Sequence, residues 1–191
     1  MTNVPAKRTL KPCLPLMPVP AVLVTCRDAD GHDNIITLGW VGVVCSAPPL
    51  LGIAIRPERH SHPMLVASGE FGLNVATADQ VRLVDHCGLA SGRDEDKFRT
   101  TGLTRLSGTA IRAPLIAECP INLECVVRQR LQLGTHDLFL GEVLAVRASE
   151  SVMSGNRIDA AKVSPLAYAP EAHQYLALGE VLGTFGFSAK G

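Results

Sequence analysis

INLECVVR at residues 121–128, LGTHD at 133–137 and LFLGEVLAVR at 138–147 decide the fold class. The first run begins by alternating apolar and polar residues, as an antiparallel strand covered on one face does. LGTHD has the composition of a turn, so residues 138–147 are expected to fold back as the hairpin partner. Shorter strand-like runs precede this pair at residues 21–26, 35–38, 50–56 and 71–76, and residues 165–168 read as a short edge. The DADGHDN segment between the first two runs has hairpin-loop composition. Helical signals are fewer. Residues 62–68 carry Pro63 in the first turn and stop at Gly69. Residues 78–87 place Val81, Val84 and Cys87 on one face, and residues 93–100 form a brief charged helix with Phe98 inward. Strands joined by tight turns with few helices predict a mainly β, antiparallel barrel with helical insertions. A doubly wound parallel sheet needs regular strand–helix alternation, which is missing, as is a G-x-G-x-x-G after the first strand.

The 191 residues suffice for one domain with a sizeable core. Eighteen basic residues balance eighteen acidic ones, so the net charge points neither to nucleic acid nor to an anionic membrane. Thirteen of the bases are Arg, whose planar fork suits phosphate or carboxylate. The uncharged run from Asn34 to Ile55 is broken by Thr37, Ser46 and the Pro48-Pro49 pair, so no membrane span is expected. The proline-rich opening, MTNVPAKRTLKPCLPLMPVP, lacks the form of a signal peptide, and the expected location is the cytoplasm. Six cysteines without a C-x-x-C pair argue against a disulfide framework and against a zinc site.

Three segments carry more polar equipment than a barrel needs. In NIITLGWVG and the following SAPP, Gly39 and Gly42 would admit a flat ligand close to the backbone, with Thr37 and Ser46 as hydroxyls. The same residues also fit a strand that bends at its glycines and buries Trp40. In RPERHSH, Arg56 ends an apolar strand and Ser61 precedes a helix start. A guanidinium beside the positive end of a helix suits a phosphate monoester. A solvated turn with Glu58 paired to Arg59 is the plainer alternative. The His60-x-His62 spacing lacks a third ligand for a metal. In residues 87–98, Ser91-Gly92 is a loop with free N–H groups beside Arg93 and Lys97, or else part of a solvated helical face. His136 sits in the hairpin loop, where barrels tend to place functional residues.

In order along the chain, PVPAVLVTC, NIITLGWVGVVCSAPPLLGIAIRPERHSH, GEFGLNV, SGRDEDKF with GLT, CPINLECVV, GTHDLFLGEVLAV and LGEVLGTFGFSAKG resemble the flavin reductase-like family of FMN-binding split barrels, including its flavoredoxin branch. The resemblance covers residues 18–191 and leaves 1–17 as an N-terminal extension. It implies a six-stranded split barrel that forms a homodimer and holds FMN near the subunit interface. Carried over by position, Thr37, Leu38, Gly39 and Trp40 would line the isoalloxazine, with Ser46 near the same edge. Arg56, Ser61 and His62 would match the phosphate site. Cys87, Gly88, Ser91 and Lys97 would close over the ribityl-phosphate side. His136 matches the histidine of the family's G-D-H loop, which reads G-T-H here, and is the candidate catalytic residue. The implied activity is that of an NAD(P)H-dependent flavin reductase passing hydride from nicotinamide to flavin, with a monooxygenase or other redox partner downstream. A flavoredoxin-type electron carrier without its own nicotinamide site is the alternative, and a barrel without flavin a third.

Overall fold

The computed structural model describes residues 5–189. Residues 1–4 of the expected extension and 190–191 of the expected domain lie outside that range. Seven strands make one antiparallel sheet: β1 (Val22–Arg27), β2 (Asp33–Leu38), β3 (Val41–Ser46), β4 (Pro49–Ile55), β5 (Glu70–Val75), β6 (Ile121–Gln132) and β7 (Asp137–Ala148). Their spatial order is β2-β1-β5-β6-β7-β4-β3.

That order has a geometric consequence. β2 and β3 lie at opposite edges of the sheet, yet only Gly39 and Trp40 separate them in sequence. Three Cα–Cα steps of about 3.8 Å reach no more than roughly 11 Å. The sheet must therefore curl until its two edges almost meet. No ladder joins those edges, so the barrel is split at this seam. At its rim the Ala54 N–H donates to the Trp40 carbonyl at 2.9 Å, extending the β3–β4 pairing one residue into the link. Register shifts between Leu140 and Gly141, and between Val143 and Ala145, interrupt the β6–β7 ladder where the sheet bends.

Six strands were expected and the sheet has seven. The additional one is β3, whose VGVVCS run is not assigned a strand of its own in the sequence, although a strand bending at its glycines is one of the two readings for this stretch. It pairs with β4, from Val41 opposite Ile53 to Ser46 opposite Pro49. A second, three-stranded sheet joins Val19–Pro20 to β8 (Leu166–Ala169) and β8 to β9 (Gln174–Ala177). The short edge near residue 165 was expected; β9 was not.

Strand alternation sorts the apolar residues into two cores. Val22, Val24, Ile36, Ile53, Ile55, Phe71 and Phe139 point into the barrel, and Met64 and Leu65 of α1 (Ser61–Ser68) pack against them. On the other face Leu23 and Ile35 meet Val84 and Cys87 of α2 (Val81–Leu89) and Phe98 of α3 (Lys97–Thr101). Each fully buried large apolar side chain contributes about 1.5–3 kcal/mol. α2 keeps the apolar face expected of it, with residues 78–80 forming a separate 3-10 turn. α3 begins later than expected because Asp96 caps it, accepting from the N–H groups of Phe98 and Arg99. Among the described residues no helix is long and apolar enough to cross a membrane.

At Gly141 the hairpin crosses directly over the Phe71 ring. A Cβ there would stand 2.6 Å from Phe71 Cζ. Gly141→Ala is expected to cost roughly 1–3 kcal/mol through overpacking. Urea unfolding should show this as a lower midpoint with an unchanged slope.

Candidate functional site

A cavity of about 430 Å³ opens along the seam. The end of β2 supplies Thr37 and Leu38, the link to β3 supplies Gly39 and Trp40, and β4 supplies Ala54 with Arg56 just past its end. The register that sets Asp137 opposite Ile55 brings His136 to the same place. There His136 stacks on Trp40, with planes 2° apart and ring centroids 6.0 Å apart. Tyr168 and Tyr175, from the smaller sheet, form another wall with Asp85 of α2, whose carboxylate accepts from the Tyr175 hydroxyl at 3.1 Å. Thr37 directs its hydroxyl to the Val84 carbonyl, tying β2 to α2, so it offers the cavity its backbone. His136 Nδ1 lies 3.0 Å from the Thr135 hydroxyl. Burial, and then the Arg56 charge, hold its imidazole below the ordinary value. The ring is therefore neutral at neutral pH.

A smaller cavity of about 210 Å³ shares Ile36, Arg59 and Gly88 with the first. It is lined by three cations, Arg59, Arg93 and Lys97, by the small or polar residues Asn34, His60, Ser61, Ser91 and Gly92, and by one acid, the exposed Glu58. Lys97 is 3% exposed, and its Nζ donates to the carbonyls of Ile35 and Cys87, both at 2.8 Å. An ammonium has three donors, so one remains. No carboxylate of the described residues forms an ion pair with it. Burial accordingly pulls the Lys97 pKa down. Beside it Asn34, also 3% exposed, donates from Nδ2 to Ser61 Oγ at 2.8 Å and leaves Oδ1 with no partner. Such an orphan costs about 1–3 kcal/mol. With the amide turned over, Ser61 would donate to Oδ1 and Nδ2 would become a donor to a ligand. Gly92 has no room for a Cβ, which would meet the Asn34 amide and stand 2.6 Å from His60 Cδ2. A buried cation lacking its counter-charge, an unpartnered buried amide and a backbone cradle together fit a phosphate.

Of the residues singled out in the sequence, Thr37, Leu38, Gly39, Trp40, Arg56 and His136 line the larger cavity. Ser61, Cys87, Ser91 and Lys97 line the smaller, and Gly88 lines both. Ser46 and His62 line neither. Ser46 is exposed at the end of edge strand β3. His62 is a buried strut, with Nε2 2.8 Å from Asp137 Oδ2 and its ring edge-on to Phe139. Arg56 sits by the ring cavity, 3.6 Å from the Glu58 carboxylate, and Arg59 stands where the two cavities join. α1 also offers fewer free amides than its sequence suggests. Pro63 has none, and the His62 N–H donates to the Arg59 carbonyl. An anion placed there would meet mostly side chains. The Cys87 thiol is pushed up to about 11 by burial and stays protonated, while its carbonyl orients Lys97. The residues missed were Asn34 and Arg59, which stand within motifs already quoted; Arg93 is read from the sequence only as a charge beside the loop and His60 only for its spacing to His62. Asp85, Tyr168 and Tyr175 carry no local signal. Away from both cavities, Asp28, Asp30 and His32 bring ligand atoms within 4.8 Å of one another in the exposed β1–β2 turn. The Asp28 carboxylate accepts there from the N–H groups of Asp30 and His32 and shapes the turn.

Fold and site together define an antiparallel split barrel whose aromatic-rimmed cavity runs into a cationic one. Residues 14–177 match the family model of the flavin reductase like domain, and the chain belongs to that family. Flavoredoxin of Desulfovibrio vulgaris (Miyazaki F) is 32% identical, over 97% of this chain and 100% of its own, with a TM-score of 0.91. Flavoredoxin from Methanosarcina acetivorans is 29% identical over the same shares, with a TM-score of 0.89. The NADH:riboflavin 5'-phosphate oxidoreductase of Streptomyces pristinaespiralis is 27% identical over 131 residues, 69% of this chain and 72% of that one.

The His62–Asp137 pair links α1 to the hairpin that carries His136, and Arg130 lies 3.6 Å from the same carboxylate. Asp137→Ala would leave both partners without it and is expected to cost about 3–5 kcal/mol. His136→Ala, next to it but half-exposed, should change stability by less than about 1 kcal/mol. Parallel urea titrations distinguish the two.

Proposed function

We propose that this protein is an FMN-binding oxidoreductase of the NAD(P)H-dependent flavin reductase type. One observation carries the reading: buried Lys97, without a counter-charge, lies in a cavity that opens past Arg59 and Gly88 into a flat, aromatic-rimmed one. A planar ring joined by a short polyol to a phosphate has that outline. FMN, when bound, supplies a ring system that accepts a hydride from a nicotinamide and passes electrons on.

The residues divide the work. Lys97, Ser61 and Asn34 hold the phosphate, and Arg59 guides the chain between ring and phosphate. The backbone from Thr37 to Trp40 lines the ring edge, where fixed amide dipoles favour negative charge. The Trp40–His136 stack shields the rim from water. His136, kept neutral by burial and by Arg56, can hold a proton at Nε2 beside the place of chemistry. A monooxygenase or another redox protein would take the electrons.

The working unit is a homodimer. Val43 is 84% and Val44 53% exposed on edge strand β3, and the tail exposes Leu182, Phe185 and Phe187. Leu131, Leu138 and Ala54 stand in one row on the outer face, with Leu140, Gly52 and Val44 beside it. A sheet apolar on both faces needs cover, and a second copy supplies it next to the seam.

The whole-length likeness to two flavoredoxins favours a second reading, an FMN electron carrier with no nicotinamide site of its own. Anaerobic addition of NADH or NADPH to the FMN-loaded protein separates the two. Bleaching of the flavin band supports the reductase, and an unchanged band with both nucleotides supports the carrier. Lys97→Met, which fills a similar volume without the charge, should weaken FMN binding by about 1–3 kcal/mol and leave riboflavin binding unchanged. Equal FMN affinity in mutant and parent would remove Lys97 from the phosphate site.

A further inference from the structure

His60 has no role in the account so far. It lies just ahead of α1 in the wall of the smaller cavity, partly buried. Its ring makes no hydrogen bond among the described residues, and the Gly92 backbone passes close to its Cδ2 edge. The charged groups around it come from every neighbouring element. Glu58 and Arg59 precede it in the chain, Arg93 and Lys97 face it from the loop after α2 and from α3, and Asp28 faces it from the β1–β2 turn. Arg93 is held in place by its Nη1, which donates to the Glu58 carbonyl at 3.2 Å. The Cys87 thiol of α2, protonated, adds no charge.

We infer that His60 is a further binding residue of this cavity, one that meets the phosphate monoester as an imidazolium, so that the protein takes up a proton together with the dianion. The inference rests on the smaller cavity being the FMN phosphate site. Without a ligand, burial first and then the charges of Arg93 and Lys97 hold the imidazole below its ordinary value, with Asp28 opposing them. Two negative charges entering the same space offset the positive charge there and favour the charged ring. The excess of cations thus suppresses the proton until a phosphate offsets it. This makes His60 selective for the phosphorylated flavin over riboflavin, since riboflavin brings no charge to raise it.

The sign of the pH effect follows. The free-protein value lies below about 6.5 and phosphate raises it, so FMN affinity is highest at low pH and falls as pH rises between the two values. The second ionisation of the phosphate itself, near about pH 6, works the other way and tightens binding as pH rises. Calorimetric titration of FMN, in two buffers of different ionisation heat and over a pH series, reads the proton directly. The expected result is net proton uptake near about pH 6.5 and an FMN Kd that rises by up to about tenfold per pH unit through the window. His60→Gln should lose the uptake and keep only the opposite trend of the phosphate. His60→Lys, charged throughout, should hold FMN without weakening as pH rises. Equal proton uptake in parent and His60→Gln, with FMN still preferred to riboflavin, overturns the inference and leaves the phosphate site standing. Equal affinity of the parent for FMN and riboflavin overturns both.

Discussion

Two residues joining opposite edges of a seven-stranded sheet are the constraint on which the rest depends. Gly39 and Trp40 cannot span an open sheet, so the strands must curl until β2 and β3 stand side by side. Closure leaves a seam where backbone groups face no partner strand, and there the larger cavity lies. Trp40 is held by its carbonyl to Ala54 and by its ring to His136. Gly39 packs against Val19 and Tyr168, bringing the small sheet up to the same opening. One topological fact thus gathers residues 21, 40, 54, 136 and 168 around one space.

The second organising feature is electrostatic. A lysine that is 3% exposed carries a desolvation penalty that two carbonyl acceptors reduce and do not remove. Arg59 and Arg93 add like charge, and Asn34 leaves an amide oxygen unmatched. A fold built for stability alone would satisfy these groups. Here they converge on one small cavity, a mismatch of the kind an anion would relieve.

The two features are coupled through buried contacts. Asp137 holds His62 at the start of α1 on one side, and is next in sequence to His136 at the ring cavity on the other. Lys97 is fixed by the carbonyl of Ile35, one residue before Ile36, which lines both cavities. Both cavities are therefore built against the same strand, β2.

Much of this was legible before any coordinates. Alternation in residues 121–128 and the turn at 133–137 specified the antiparallel hairpin, because a half-covered strand needs period-two patterning and a tight turn needs its glycine. Pro63 and Gly69 bounded α1 for equally local reasons. The motifs NIITLGW, RPERHSH and SGRDEDK marked out where chemistry would be found. Tertiary structure alone decided which side chain in each motif does it. His60 and His62 are two residues apart in one run; helical rotation sends the second into the core against Asp137 and leaves the first in the cavity. Lys97 looks like part of a solvated charged face until α3 turns it beneath β2. Tyr175 and Trp40 share a cavity across more than a hundred residues of chain, a proximity set by sheet closure and by no local propensity.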